Sequence, residues 1–369
     1  MLQILKIYVS KIFLDFYLLI KGFILSFFIS KKGMNEEIDF VVLWVDGNDP
    51  KWRSTKVEYE KKYNIYKGSN GEERYREWNQ FHYWFRAVEK YAPWVRHVYL
   101  VTCGQVPDWL NTNHPKLRLV NHIDFMDKND LPTFNSSAIE INLHHIEELG
   151  EYFVYFNDDM ILTKPVKPED FFQGGKPLTC AAGFPIRNSV ANEVFRHNLF
   201  TMEGLAAKYN WEEIIRKWPE KWFNHKYGKY LRHNWRICKD LYMSGFHYVH
   251  FASPLRKSTL ERTEQEFKKA FKETSHNRFR CPSDITQLLF KINDIAHGDY
   301  IPCSPYYFGH YYNLAQGYKV ISNDIKKQRH LMVCINDNPD VTKENFETIR
   351  SSISEALESI LPEKSTYEL

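Results

Sequence analysis

The sequence predicts an α/β protein built on a mostly parallel sheet with helices on either face. Three observations carry this. Tyr152–Phe156 is an uninterrupted aromatic and β-branched run, the pattern of a strand buried on both faces. Two similar runs, Phe40–Val45 and His97–Thr102, precede it with helix-compatible stretches between, the grammar of βαβ units. The runs also break off in polar residues: Asn157, Asp158 and Asp159 after one, Asp46, Gly47 and Asp49 after another. In open α/β sheets ligands collect just beyond such carboxyl ends, so the architecture expected is a nucleotide-binding, Rossmann-like sheet.

Composition narrows the class. The 369 residues can bury a core as one large domain or two, and 43% hydrophobic content is globular. A net charge of +3 gives no argument for a nucleic-acid partner. The 23 Tyr and 26 Phe suit carbohydrate-facing surfaces and equally a thick core. Six cysteines (103, 180, 238, 281, 303, 334) are scattered without a C-x-x-C pair, which points to neither zinc nor disulfides and fits a reducing cytoplasm.

Taken in order, residues 1–33 form an amphipathic segment. Its uncharged stretches are shorter than the roughly 20 residues that cross a bilayer as a helix. Gln3, Lys6, Ser10, Lys11, Asp15 and Lys21 share one arc, opposite Leu5, Val9, Ile12, Phe13 and Phe16. That pattern suits a helix lying in a membrane interface, and no small-residue cleavage site follows it. Residues 34–37 read as a linker. Residues 51–73 are polar, with a loop at Gly68-Ser69-Asn70-Gly71, and are expected to be mobile. A helix over 74–91 stops at Ala92-Pro93. A short strand over Lys116–Val120, a helix over 136–148 capped by Ser136, and the strand at 152 follow. Beyond 163 the pattern gives helices over 186–217, 259–272 and 283–296 and a basic aromatic stretch, Lys221–Arg236. A strand ending in acid, Leu331–Asn338, and a final helix from Thr342 to Leu361 close the chain. The organisation expected is a catalytic domain over 34–340, with a helical insertion at about 186–300, and a C-terminal helix over 341–369.

Acids thus end three strands, at Asp46 and Asp49, at Asp158 and Asp159, and at Asp337. Their convergence would make a metal site fit for phosphate chemistry, where catalysis is positioning and charge neutralisation. Arg278 and Arg280 would supply bidentate phosphate recognition, and His250 a general base. Plainer readings stand beside these: an Asn/Asp turn, an exposed basic turn, a structural histidine. His144 and His145 are read as helix-surface residues without a role.

Four segments, in order, resemble the conserved regions of the Stealth family of hexose-1-phosphoryl transferases, which includes bacterial capsular polysaccharide phosphotransferases and the animal N-acetylglucosamine-1-phosphotransferase of lysosomal targeting. They are IDFVVLWVDGNDPKW (38–52), RYREWNQFHYWFRAVEKYAPWVRHVYLVT (74–102) continuing through LPTFNSSAIEINLHHIEELGEYFVYFNDDM (131–160), HFASPLRKS with HNRFR (250–258, 276–280), and CINDN (334–338). The chain departs from the family pattern at Glu77, His82 and Ser137. The resemblance implies a glycosyltransferase-A-like sheet, with Asp46, Asp159, His250, Arg280 and Asp337 as catalytic residues. It implies Asp158 and Asp159 as ligands of Mg²⁺ or Mn²⁺, and Arg76, Asn135, Asn157, Arg278 and Asn336 as substrate-binding residues. The reaction implied moves a sugar-1-phosphate, N-acetylhexosamine-1-phosphate foremost, from a UDP-sugar to a hydroxyl of a capsular oligosaccharide. UMP is released, at the inner face of a bacterial plasma membrane. Whether His250 or an Asp takes the proton stays open. Two rivals remain: a metal-dependent glycosyltransferase releasing UDP, and a membrane-attached assembly subunit whose acids only bind a cation. The Tyr, Trp and Lys of 51–73 and 221–236 are expected to shape the acceptor groove.

Overall fold

A computed structural model describes residues 2–63, 65, 71–184, 193–240 and 245–369. The strands are β1 (Ile38–Leu43), β2 (Val98–Thr102), β3 (Leu117–Asn121), β4 (Tyr152–Asn157), β5 (Met160–Leu162), β6 (Phe172–Gln173), β7 (Lys176–Thr179), β8 (Ser253–Arg256), β9 (Ile301–Pro302) and β10 (Met332–Cys334). The central sheet has the order β3-β2-β1-β4-β8. Its first four strands are parallel, and β8 closes the edge antiparallel to β4. β5 and β10 form a separate antiparallel ribbon, and β6, β7 and β9 a small third sheet.

The continuous apolar runs follow from burial on two sides. Phe40, Val42, Leu100, Val154 and Phe156 face one layer, which holds the helix Phe81–Tyr91 and the C-terminal helix Lys343–Ile360. The alternate residues Val41, Tyr99, Val101, Phe153 and Tyr155 face the other, with the helices Ser136–Ile141, Lys268–His276 and Leu288–His297. Each such side chain contributes about 2 kcal/mol by burial, so a polar residue on either face would be costly. The C-terminal helix uses its expected stripe: Ile349, Ile353, Leu357 and Ile360 are buried, and it packs on the helix Leu314–Lys326.

Several expectations are corrected. The helix placed over 74–91 begins at Phe81; before it lie a short 3-10 turn at Glu72–Arg74 and extended chain, and Asn79 adopts φ +54°. The polar stretch after 50 is not all loop. Pro50–Glu60 is a helix because Asp49 caps it, accepting from the amides of Lys51 and Trp52 at 2.7 and 3.1 Å. Residues 68–70 of the expected loop lie outside the described residues, as do 186–192 of the expected helix over 186–217, which is resolved as Glu193–Ala206 and Trp211–Lys217. The helix over 136–148 ends at Ile141 and gives way to a 3-10 turn, and its cap is Asn135 rather than Ser136. The helix over 259–272 is two, Lys257–Glu266 and Lys268–His276, parted at Phe267. The acid-ended strand near 331–338 is β10, which joins the ribbon and not the main sheet.

The N-terminal helix runs Leu2–Ser26, and among the described residues no helix is long and apolar enough to cross a membrane. Its orientation reverses part of the expected arc: Asp15 is buried against the body, while Phe13 and Phe16 face solvent. The five cysteines whose side chains are described are unpaired.

Candidate functional site

β4 ends at Asn157, the chain turns through Asp158 and Asp159, and β5 leaves antiparallel to β10. That ribbon brings the far C-terminal segment to the same place. Ile335 donates its amide to the Asp159 carbonyl at 2.7 Å, so Cys334–Asp337 lies across the carboxyl end of β4. The segment 74–78 closes the cleft from another side, seated on the turn after β1. A Cβ on Gly47 would fall 1.9 Å from the Tyr75 carbonyl oxygen, a contact only glycine permits.

Asp159 is the centre. Its Oδ2 accepts from Asn336 Nδ2 at 3.0 Å and lies 3.6 Å from Cys334 Sγ and 3.8 Å from His250 Nε2. Its Oδ1 is buried with no partner. A buried carboxylate oxygen left unbonded costs free energy, so a water or a ligand is expected to complete it, as also for Glu203 Oε1 elsewhere in the fold. His250 has Asn157 Nδ2 at 3.2 Å from Nε2 and the Tyr248 hydroxyl at 3.4 Å from Nδ1. Burial lowers its pKa below the usual histidine value, more than Asp159 raises it, and so favours the neutral ring. Asp158 is exposed to solvent in the turn, yet the neighbouring chain crowds its carboxyl. Desolvation first, then Asp159 and Glu77, push its carboxyl up to about 8. Asp337 is held by Trp78 Nε1 at 3.2 Å, Arg76 Nε at 3.3 Å and the Asn338 amide at 2.8 Å, and burial pushes it up to about 6.

Opposite these acids stand two arginines. Arg280 donates to Ser136 Oγ at 2.7 Å and has no ion pair among the described residues. The guanidinium of Arg74 comes no nearer a carboxylate than 4.0 Å, to Glu73, and its buried Nε has no acceptor. Burial and then the neighbouring Arg280 bring Arg74 down to about 10, which leaves it cationic at neutral pH. Two adjacent cations without a carboxylate between them are arranged for an anion from outside.

The remaining expected residues divide. Arg76, Asn157 and Asn336 touch the cluster directly. Asp46 borders it: its side chain accepts from the Asn48 amide at 2.8 Å and its charge reaches Glu77, but it makes no hydrogen bond to Asp158 or Asp159. Asp49 is spent on its helix cap and on Gln105. Arg278 donates to the carbonyls of Pro132 and Asn129. Asn135 is buried and ties the Ser137 amide to the Asn277 carbonyl and Asp284, so both hold the loop that carries Arg280.

Three residues around the site were not singled out from sequence. Arg74 was hidden in the helix expected over 74–91. Glu140 is buried, its pKa raised by burial, with the Tyr155 hydroxyl 3.0 Å from Oε1; that hydroxyl also reaches Asn157 Oδ1 at 2.6 Å. These contacts link Glu140, Tyr155, Asn157 and His250 in one hydrogen-bonded chain. A lone acid in the apolar run Ala138–Ile141 was the signal available. Lys291 lies over the Tyr248 ring at 5.2 Å, lines a cavity of about 50 Å³ beside Cys180 and Cys303, and is brought down to about 8 by burial.

A hard divalent cation fits this donor set. The unpartnered Asp159 Oδ1 beside the Asp158 carboxylate is what such an ion would complete. Asp159, His250 and Cys334 are also close enough to share an ion, and burial raises the Cys334 thiol.

Comparison with known proteins gives three matches to family models: Stealth conserved region 1 over residues 36–64, region 2 over 74–178 and region 3 over 249–289. These include Asp46, Arg74, Asp158, Asp159, His250 and Arg280. Among relatives, the capsular polysaccharide phosphotransferase WcwK of Streptococcus pneumoniae is 39% identical over 90% of this chain and 98% of its own. The exopolysaccharide phosphotransferase cps2G of Lactiplantibacillus plantarum is 38% identical over 90% and 96%. The receptor polysaccharide phosphotransferase WefC of Streptococcus gordonii is 39% identical over 91% and 100%. With likeness of this extent centred on the residues that build the cleft, the chain belongs to the Stealth protein family.

Proposed function

We propose that this protein is a capsular polysaccharide phosphotransferase. It moves a sugar-1-phosphate, N-acetylhexosamine-1-phosphate foremost, from a UDP-sugar to a sugar hydroxyl of the growing polymer, releasing UMP and leaving a phosphodiester. It works peripheral to the inner face of the bacterial plasma membrane, through residues 1–30. The observation that carries the reading is the gathering of the acids Asp158 and Asp159 with the arginines Arg280, which has no ion pair among the described residues, and Arg74, whose one ion pair is the 4.0 Å contact to Glu73. The names of the relatives support the reaction class.

The chemistry follows from the groups in place. Asp158 and Asp159 would hold Mg²⁺ or Mn²⁺, which when bound supplies positive charge against the donor's diphosphate. Arg74 and Arg280 take the opposite side of that diphosphate and the charge left on departing UMP. The acceptor hydroxyl attacks the sugar-linked phosphorus, a P–O bond to the acceptor forms, and the P–O bond to UMP breaks. The hydroxyl proton goes to neutral His250, which Asn157 and Tyr248 orient.

The test is product analysis. Purified protein with Mg²⁺, a capsular oligosaccharide and a panel of UDP-sugars should release UMP in step with polymer-bound phosphate. Release of UDP with no phosphate in the polymer would make it a glycosyltransferase instead.

A further inference from the structure

The N-terminal helix lies on the body with its polar side inward. From residue 13 on, its buried positions are Asp15, Leu18, Gly22 and Ser26, three and four apart. The seat is close. A Cβ on Gly22 would lie 2.2 Å from the Pro219 carbonyl oxygen, and Ser26 Oγ accepts from the His225 amide at 3.1 Å. The opposite side is apolar and open: Phe13, Phe16, Tyr17, Ile24, Phe27 and Phe28 are each between 52% and 76% exposed. A helix at the surface of a water-soluble domain does the reverse. The apolar face continues onto the body, where Leu19, Ile20, Phe23, Leu231 and Trp235 line a groove of about 450 Å³.

Lys21 in the helix and Lys31 and Lys32 just after it are exposed, ahead of exposed Glu36 and Glu37, while the acid of the helix, Asp15, is buried. We propose that this outward face docks on a bilayer containing anionic lipid, with the helix in the headgroup plane and its aromatic side in the acyl boundary. An exposed aromatic-aliphatic face with Lys21 at its edge and Lys31 and Lys32 following is the chemistry of interfacial helices, and each basic residue gains from a negative leaflet. A second copy of the chain is the poorer occupant, because it would set the same lysines against one another with no exposed acid of the helix to pair them. The inference deepens the membrane part of the proposed function and rests on it; the transfer reaction is read separately by product analysis, so failure of docking overturns the membrane placement and not the reaction.

The experiment is flotation of the full chain with vesicles of phosphatidylcholine alone or mixed with phosphatidylglycerol. The protein should float with the mixed vesicles, and added salt should weaken this. Replacing the outward residues together (Phe13→Ser, Tyr17→Ser, Ile24→Ser, Phe28→Ser) should cut flotation by about tenfold or more, and Lys31→Glu with Lys32→Glu should cut it further. Circular dichroism and thermal melting should not change, since these side chains face solvent. Binding that ignores lipid charge, or flotation of the serine variant equal to wild type, would overturn the proposal. So would a wild-type dimer that the serine variant splits into monomers without vesicle binding by either form.

Discussion

The two ends of the central sheet treat charge in opposite ways. At the amino end, Asp39 in β1 is wholly buried, and its carboxylate is fully answered. It accepts from Arg96 Nε at 2.8 Å, the Gly150 amide at 2.9 Å and the His97 amide at 3.2 Å, and pairs with the second arm of the Arg96 guanidinium. Hydrogen bonding to Asp39 holds Arg96 above the usual arginine range. At the carboxyl end, Asp159 keeps one buried oxygen unbonded, and Arg74 and Arg280 stand near it without a close carboxylate. Both ends bury charge, so burial alone does not mark a binding site. The difference lies in the carboxylates: both oxygens of Asp39 are bonded, although His97 Nδ1 beside them is not, whereas Asp159 keeps an oxygen open next to other acids and two arginines, where a ligand would complete it.

The largest expected effects separate the ends. Asp159→Asn, nearly isosteric, should lower transfer by roughly 10³-fold while leaving the denaturation midpoint in place. Asp39→Asn should do the converse, costing about 3 kcal/mol in urea unfolding with the activity of the folded fraction retained. If both variants lose stability alike, the comparison breaks.

A second effect sharpens the carboxyl end. His250→Gln should cost about 10²-fold or more in kcat. Since burial depresses His250, wild-type activity should rise with pH through a value below about 6.5 and then level, as the ring loses its proton. Asp337, pushed up to about 6, would give a limb in the same range. A limb that disappears in His250→Gln and persists in Asp337→Asn assigns the base to the histidine; the reverse pattern assigns it to the aspartate.

The smallest effect concerns Asp158. A carboxyl raised to about 8 in the fold and near its usual value of 3.8 when unfolded binds its proton more tightly in the native state. The stability this provides is full below about 4 and is lost as pH climbs toward 8. Metal-free wild type should therefore melt at lower temperature at pH 8 than at pH 5. Asp158→Asn should flatten that dependence, with its advantage appearing only at the higher pH.

The same contrast explains what could be read from sequence. Strands β1, β2 and β4 were visible because burial on both faces demands unbroken apolar runs, and the acids that follow them were visible as the places where the runs stop. β8 was not: Ser253-Pro-Leu-Arg256 is short, carries a proline opposite Val154 and tolerates it only as an edge. Asp49 was counted among the strand-end acids of a metal site because a cap and a ligand use the same residue type. Arg74 was missed because the aromatic periodicity of 81–91 was extended backward over it. Glu140 was missed because a single acid between Ile139 and Ile141 shows its burial only once the helix is seen to lie against the sheet. Asp337 was grouped with the other acids at the ends of sheet strands, but β10 joins β5 in a separate ribbon, and that antiparallel pairing leaves no trace in hydrophobic periodicity.

One measurement bears most directly on the central claim that the open end of the sheet transfers a sugar-linked phosphorus. A UDP-sugar labelled at its sugar-linked phosphate would be incubated with capsular oligosaccharide and either wild type or Asp159→Asn of matched thermal stability. Wild type should carry the label into the polymer, and the variant should leave it in the donor. Label recovered in UDP, or equal incorporation by the two proteins, would contradict the account.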